Sequence, residues 1–315
     1  MIGRAKQTKS AADRARIVLL LALAASDGPA PAAAQSADLR VMSFNIRYGT
    51  AADGENRWPL RRALLIDVIR DAAPAVLGVQ EALGFQLEEV RAGLGRYAQA
   101  GVGRDDGALQ GEYSAILYDT TRVALIEEGT FWFSDSPALP GSTGWGNTIP
   151  RICTWARFRD RTDGATFRVY NVHWDHVSQP SRERSAALLL ATIAAREPAH
   201  DPVIVSGDFN AGESNPAFVA LTASTRVPLR DTFRALHEDS MAVGTFHGFR
   251  GGTGGDKIDG ILVGPGWGVV SAAIVRTAVE GRYPSDHYPV TAVLRRQARP
   301  PPSSRNAARF FASAR

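Results

Sequence analysis

The chain has 315 residues, 44% of them hydrophobic and 22% charged, the balance of a folded protein with a full-sized core, which excludes general disorder and a collagen-like repeat. Its one cysteine, Cys153, excludes an intrachain disulfide and any zinc site that needs two thiolates. The formal net charge of +4 belongs to the ends: the core from Gln35 to Leu294 holds five more acidic than basic residues, so no broad basic surface for nucleic acid is evident.

Met1 to Ala34 opens with five basic residues, continues through an apolar run from Ile17 to Ala25 that is too short to span a bilayer comfortably, and ends in small residues at Ala32 to Ala34. That is the pattern of a secretory signal peptide cleaved near Gln35, with an uncleaved membrane anchor as the alternative. Such a start predicts a periplasmic or secreted protein. Residues 295–315 hold six arginines among prolines and serines with no acid, which predicts a disordered basic tail. Residues 35–294 are then one domain.

Leu39 to Asn45 alternates and reads as a strand with a polar end, followed by a loop containing Gly49, Asp53 and Gly54. From Trp58, the residues Leu60, Leu64, Leu65, Val68 and Ile69 recur at helical spacing until Pro74. Ala75 to Glu81 reads as a short buried strand and Phe85 to Leu94 as a second helix stopped by Gly95. Short strands are predicted at Tyr113 to Tyr118, Ala124 to Glu127, Thr130 to Phe133, Thr154 to Phe158 and Phe167 to His173, with a long loop from Ser134 to Ile149. A helix at Arg182 to Arg196, a strand at Pro202 to Asp208, a helix at Pro216 to Thr222 and three strands near Thr245, Lys257 to Val263 and Tyr288 to Leu294 complete the core. No repeat is visible in the sequence. The mixture predicts an α/β sandwich with helices covering mixed sheets.

Polar residues close the predicted strands in five places: Asn45, Glu81, His173, Asp208 with Asn210, and Asp286 with His287. A strand end beyond an apolar sheet is where a rigid scaffold can converge groups from distant sequence. The carboxylates of Glu81, Asp208 and Asp286 and the amides of Asn45 and Asn210 are hard oxygen donors, suited to Mg2+ or Mn2+ rather than zinc.

Six segments in order, Ser43 to Arg47, Gly78 to Glu81, Asn171 to His173, Ser206 to Asn210, Lys257 to Asp259 and Ser285 to His287, resemble the motifs of the endonuclease/exonuclease/phosphatase superfamily, the deoxyribonuclease I-like proteins. The resemblance spans Leu39 to Leu294. Trp58 to Arg62, Arg151 to Ala156, Asp175 with His176, and Thr245 to Phe249 are similar to a bacterial, often exported subgroup. It implies a four-layered α/β sandwich, two mixed sheets packed face to face with helices outside. It also implies a Mg2+-dependent hydrolase of phosphate esters, of phosphodiesterase or nuclease type. The alternatives are a phosphomonoesterase acting on sugar or inositol phosphates, and a catalytically silent binding module. A calcineurin-like phosphoesterase, which shares Gly207 and Asp208, lacks its other two motifs here. The substrate would be a nucleic acid, a lipid head group or a sugar phosphate. No protein partner is implied, and a monomer is expected.

By the same resemblance, Glu81 with Asn45 holds the main cation, Asp208 and Asn210 face it across the phosphate, and Asp286 adds a further metal-side carboxylate. His287 is the base that takes a proton from water, with Asp259 fixing its tautomer, while His173 donates to a phosphate oxygen. Whether the aspartate at Asp208 orients or deprotonates the water stays open. Arg151 either binds phosphate or only pairs with a carboxylate. Tyr113, Asp175 and His176 are expected beside the site, Trp58, Trp132 and Trp145 at a substrate rim or in the core, and Cys153 as buried filler. Two departures stand out: Ala75 replaces an aspartate common in relatives, and Gly260 replaces an aromatic residue, which predicts an open pocket wall.

Overall fold

The computed structural model describes residues 38–196 and 201–297. The predicted signal peptide, and the predicted tail beyond Gln297, lie outside the described residues. The strands are β1 (Leu39–Asn45), β2 (Val76–Gln80), β3 (Tyr97–Ala100), β4 (Ile116–Asp119), β5 (Val123–Trp132), β6 (Ile152–Asp160), β7 (Thr166–His173), β8 (Val203–Asp208), β9 (Arg230–Asp231), β10 (Asp259–Val263), β11 (Trp267–Ile274) and β12 (Val290–Arg296). The helices are α1 (Trp58–Ala72), α2 (Gly84–Leu94), α3 (Gln179–Arg196) and α4 (Pro216–Thr222).

One sheet runs in the order β11-β12-β1-β2-β4-β3 and the other β5-β6-β7-β8-β10-β9. The two orders are the same topology. Each sheet has a single parallel pair, β1 with β2 and β7 with β8, joined by one helix, α1 or α3, as a parallel connection requires. All other neighbours are antiparallel. A repeat that the sequence conceals is therefore plain in the strand order.

Alternation along the central strands builds the layers. Leu39 and Val41 of β1, Val76 of β2, Phe167 and Val169 of β7, Ile204 of β8 and Ile261 and Val263 of β10 meet in one buried cluster between the sheets. Their neighbours turn outward: Met42, Phe44, Leu77 and Val79 pack on α1 and α2, and Tyr170, Val172, Val203 and Val205 pack on α3 and α4. Four layers result, as the resemblance implies. The inward stripe changes character along each strand, from apolar to small and polar to the residue that closes the strand. In β1 it reads Leu39, Val41, Ser43, Asn45, and in β7 Phe167, Val169, Asn171, His173.

At the small polar level the sheets are bonded to each other. Asn171 Nδ2 donates to the carbonyls of Val79 and Ala115, both at 2.9 Å, while its Oδ1 accepts from Gln80 Nε2 at 2.6 Å and Ser206 Oγ at 3.2 Å. A Cβ on Gly78 would lie 2.5 Å from both Asn171 Oδ1 and Ser206 Oγ, so only glycine permits this approach.

Several expected boundaries shift. The two runs at Ala124 to Glu127 and Thr130 to Phe133 are one strand, β5, with a register shift between Leu125 and Glu127. The segment near Thr245 is no strand; Phe246 makes only an isolated bridge to His287. Helix α3 starts at Gln179, earlier than Arg182, because Pro180 is tolerated in a first turn. Strands β3, β9 and β11 are additions, and β12 continues through Arg295 and Arg296, which pair with Asp38 and Asp163, into the segment predicted as tail.

Truncating Asn171 leaves two buried carbonyls and two donors unsatisfied. Asn171→Ala is expected to lower stability by about 3 kcal/mol in urea unfolding, and Gly78→Ala by about 1–3 kcal/mol through overpacking. Wild-type midpoints in both would show that the sheets are not held by this contact.

Candidate active site

Because both sheets repeat one topology, equivalent strand ends meet at one edge of the sandwich. Asn45 and His173 end β1 and β7, Glu81 follows β2, Asp208 ends β8, Asp259 begins the antiparallel β10, and Arg151 and Asp286–His287 stand just ahead of β6 and β12. Glu81 and Asn210 sit at φ 60° and 45°, the left-handed region, which turns each chain sharply as it leaves its strand. Such strain costs on the order of 1 kcal/mol per residue and clusters at functional sites.

The first sheet supplies an acidic half. Asn45 Oδ1 accepts from the Arg47 amide at 3.0 Å, which fixes the side-chain orientation, and Nδ2 donates to Glu81 Oε1 at 3.0 Å and Asp208 Oδ2 at 2.9 Å. Asn45 thus bridges the two carboxylates as a donor and does not offer them its oxygen. Arg47 is paired in bidentate fashion with Asp53 and lies 3.8 Å from Glu81 and 3.7 Å from Asp286. Buried Arg61 donates to the carbonyls of Ile46, Arg47, Asn56 and Pro284, so one guanidinium ties the loop after β1 to the loop before β12. Burial lowers its pKa to about 10, leaving it charged at neutral pH.

The second sheet supplies a basic half. Arg151, buried, has its Nε 3.3 Å from Asp175 Oδ2, its Nη1 3.2 Å from His173 Nε2 and its Nη2 2.7 Å from His176 Nδ1. It therefore pairs with a carboxylate and also forms part of the cleft wall. Asp208 Oδ1 accepts from the Asn210 amide at 2.9 Å, and Asn210 Nδ2 donates to the Trp174 carbonyl at 3.0 Å, leaving the Asn210 side-chain oxygen for a ligand.

The halves join at His287. Its Nδ1 lies 2.8 Å from Asp259 Oδ2, and its Nε2 lies 3.9 Å from Asp208 Oδ2, to which His173 Nε2 also comes within 3.7 Å. These two gaps exceed a direct hydrogen bond and suit an oxygen atom that touches both partners. For His287, burial disfavours the imidazolium, yet Asp259, Asp208 and Asp286 outweigh it and raise the pKa. For His173, burial and the adjacent Arg151 and Arg104 act together and push the pKa well below the ordinary value. Burial, then Asp259, holds the Asp208 carboxyl above its usual range. The Asp259 amide donates to Thr245 Oγ1 at 3.1 Å, and buried Lys257, two residues earlier, donates from Nζ to Asp231 at 2.6 Å.

Of the residues expected to act, Glu81, Arg151, His173, Asp208, Asn210, Asp286 and His287 line one cleft of about 750 Å³, within the size range of small-molecule sites, while Asn45 and Asp259 stand behind its wall. Arg104 and Glu112 also line the cleft and were missed by sequence, since they lie on a loop without periodicity and carry only their charge as a signal; Arg47, Phe246 and Phe249, inside the motifs Ser43 to Arg47 and Thr245 to Phe249, line it too, with no role assigned to them from sequence. The tryptophans are not at the rim: Trp58 and Trp132 are buried, and Trp145 packs on the α3 layer. Gly260 faces Phe209 and the Lys257–Asp231 pair, so it opens no wall of the cleft. Tyr113 donates to the Ala108 carbonyl beside the site, and Cys153 is buried and free.

The donor set fits a hard divalent cation. Glu81 and Asp286 flank the same guanidinium, and burial, with Glu81 adding to it, holds the Asp286 carboxyl above its ordinary range, so a cation there is favoured. Asp208, Asp259 and His287 also bring ligand atoms within 4.8 Å of one another. The electrostatics set a test in the metal-free protein: imidazole 15N shifts near pH 7 are expected to show His173 neutral and His287 doubly protonated, whereas a neutral His287 or a charged His173 would contradict the assignment.

The sequence pattern of the endonuclease/exonuclease/phosphatase family matches residues 42–287. An endonuclease/exonuclease/phosphatase from Bacteroides vulgatus is 33% identical, covers 83% of this chain and 100% of its own, and superposes with a TM-score of 0.76. A mannosyl-6-phosphatase of Bacteroides thetaiotaomicron is 31% identical over 81% of this chain and 99% of its own, TM-score 0.75. The human Nocturnin catalytic domain, 19% identical over 82% and 95% of the two chains with a TM-score of 0.66, shares the fold. No curated protein matches the sequence. On the matched residues, the two six-stranded sheets and the cleft they share, the chain belongs to the endonuclease/exonuclease/phosphatase family and has its phosphoester hydrolase fold.

Proposed function

We propose that the chain is an exported, divalent-cation-dependent hydrolase of phosphate esters, acting as a monomer on a compact substrate. The observation that carries this reading is the meeting of an acidic half, Glu81 and Asp286, with a basic half, Arg151 and His173, around one cleft that also holds the Asp259–His287 pair. Glu81 and Asp286 would hold Mg2+ or Mn2+, and such a cation neutralises charge that builds on the phosphate and on the leaving oxygen.

The chain's own groups divide the remaining work. Neutral His173 donates a hydrogen bond to a non-bridging phosphate oxygen, and Arg151 behind it adds fixed positive charge to the same wall. Asn210 binds the phosphate from the opposite side. Asp259 holds Nδ1 of His287, so Nε2 is the atom that exchanges a proton on the cleft side, with Asp208 at 3.9 Å as the other end of the same path.

The phosphodiesterase or nuclease reading and the monoesterase reading share this centre. A compact monoester is favoured by the acidic core and by Glu112 in the cleft wall, both of which repel a long polyanion. Similarity to a mannosyl-6-phosphatase supports the same choice.

EDTA is expected to abolish hydrolysis of p-nitrophenyl phosphate and Mg2+ or Mn2+ to restore it, with Glu81→Gln needing far more metal. His287→Ala should lower kcat by roughly 10²-fold to 10⁴-fold and Asp259→Asn should lower it too, with metal affinity measured by calorimetry barely moved in either. Full activity of the metal-free enzyme would overturn the reading.

A further inference from the structure

In the lining of the cleft, Arg104 and Glu112 face each other across a turn. Arg104 Nη1 donates to Glu112 Oε2 at 2.7 Å and Nη2 to Oε1 at 2.9 Å, a fork-to-fork pair whose side chains keep 12% and 17% of their surface exposed while lining the cleft. The pair is not what closes the turn. The amides of Gly103, Arg104, Asp105 and Gly107 already donate to the carbonyls of Ala108, Glu112, Gln110 and Gly103. Asp106 Oδ1 accepts from the Ala108 and Gln110 amides, and Trp132 Nε1 fastens the Arg104 carbonyl at 2.6 Å. A side-chain ion pair added to a turn so fully bonded contributes little that the backbone lacks, and burial works against both of its charges.

What the pair does present is a set of unspent groups. A guanidinium has five N–H donors and the bridge uses two; Nε is buried, 3.9 Å from Asp105 and with no acceptor among the described residues, which leaves the second N–H of Nη1 and of Nη2. Each Glu112 oxygen accepts one hydrogen bond and has a lone pair left. Donors and acceptors thus stand side by side on a planar, rigid edge, the pattern that two neighbouring hydroxyl groups complement, since each hydroxyl both donates and accepts. An anionic ligand would meet the Glu112 carboxylate, and a purely apolar one would leave the pair desolvated and unsatisfied.

We propose that Arg104 and Glu112 form a subsite for adjacent hydroxyl groups on the alcohol portion of the substrate, so that the enzyme selects phosphate esters of polyhydroxylated alcohols. This rests on the hydrolase reading above. Arg104 and Glu112 line the same cleft as Arg151 and His173 and enclose one adjoining gap with them, so the alcohol of an ester whose phosphate is held at Arg151 and His173 stands beside the pair. Arg104 and Glu112 are specificity residues and take no part in the proton path of His287.

The test compares substrates within one preparation of the full chain, so that partial misfolding of a variant cancels. For wild type, Glu112→Gln and Arg104→Lys, kcat/KM is measured with Mg2+ for glucose 6-phosphate, mannose 6-phosphate and p-nitrophenyl phosphate, the last lacking hydroxyls. The hexose to p-nitrophenyl ratio is expected to fall about 10-fold to 100-fold in either variant, the loss of one or two substrate hydrogen bonds. An unchanged ratio in both variants overturns the subsite while leaving the hydrolase reading intact. A wild type that prefers p-nitrophenyl phosphate to both hexose phosphates does the same. Absence of hydrolysis of all three esters overturns the hydrolase reading, and the subsite with it.

Discussion

The distance between the two sheets at the floor of the cleft is set by one amide. Asn171, on the second sheet, spends both Nδ2 donors on carbonyls of the first and receives Gln80 and Ser206 on its oxygen, fully buried. Everything above it follows from that contact. His173, two residues along the same face, and Asp208, two residues beyond Ser206, are delivered opposite Asn45 and Glu81 from the other sheet. An apolar residue in place of Asn171 would leave buried backbone groups unpaired, and a side chain at Gly78 would push the sheets apart. The polar floor thus costs hydrophobic burial and yields a fixed register between two half-sites.

That division of labour explains the electrostatics. The first sheet carries Glu81 and Asp286, the second carries Arg151, and the groups of intermediate character, Asp208, Asp259 and His287, lie where the halves meet. Glu81 and Asp286 are not paired with Arg151, whose carboxylate partner is Asp175, so each half can still receive a ligand of the other sign. Arg47 and Arg104, which also line the cleft, are paired locally with Asp53 and Glu112.

Most of the scaffold was legible because it rests on alternation. The stripe Leu39, Val41, Ser43, Asn45 can be read directly, and so can Phe167, Val169, Asn171, His173; each announces a strand, the face it buries and the residue it delivers. What stayed hidden depends on long-range closure. Strand β11 is an edge strand with only three of its eight residues buried, so its periodicity carries little core signal, and β9 is only two residues long. The Thr245 segment looks extended yet serves to brace Ile258 and Asp259 through its hydroxyl. Arg104 and Glu112 come together only once a turn has folded, and the sequence does not show that Asn45 spends its amide donors on bridging Glu81 and Asp208. The repeated topology left no trace in residue identity because corresponding strand ends carry different chemistry, Asn45 against His173 and Arg151 against His287.

The central claim is that the acidic half holds a divalent cation and the basic half holds the phosphate, with the scissile bond between them. Anomalous diffraction from crystals grown with Mn2+ and inorganic phosphate tests it most directly. The account predicts a manganese peak in contact with the Glu81 carboxylate and a phosphate bound between it and the His173 and Asn210 side chains. A manganese ion bound by Asp208, Asp259 and His287, with nothing at Glu81, would contradict it.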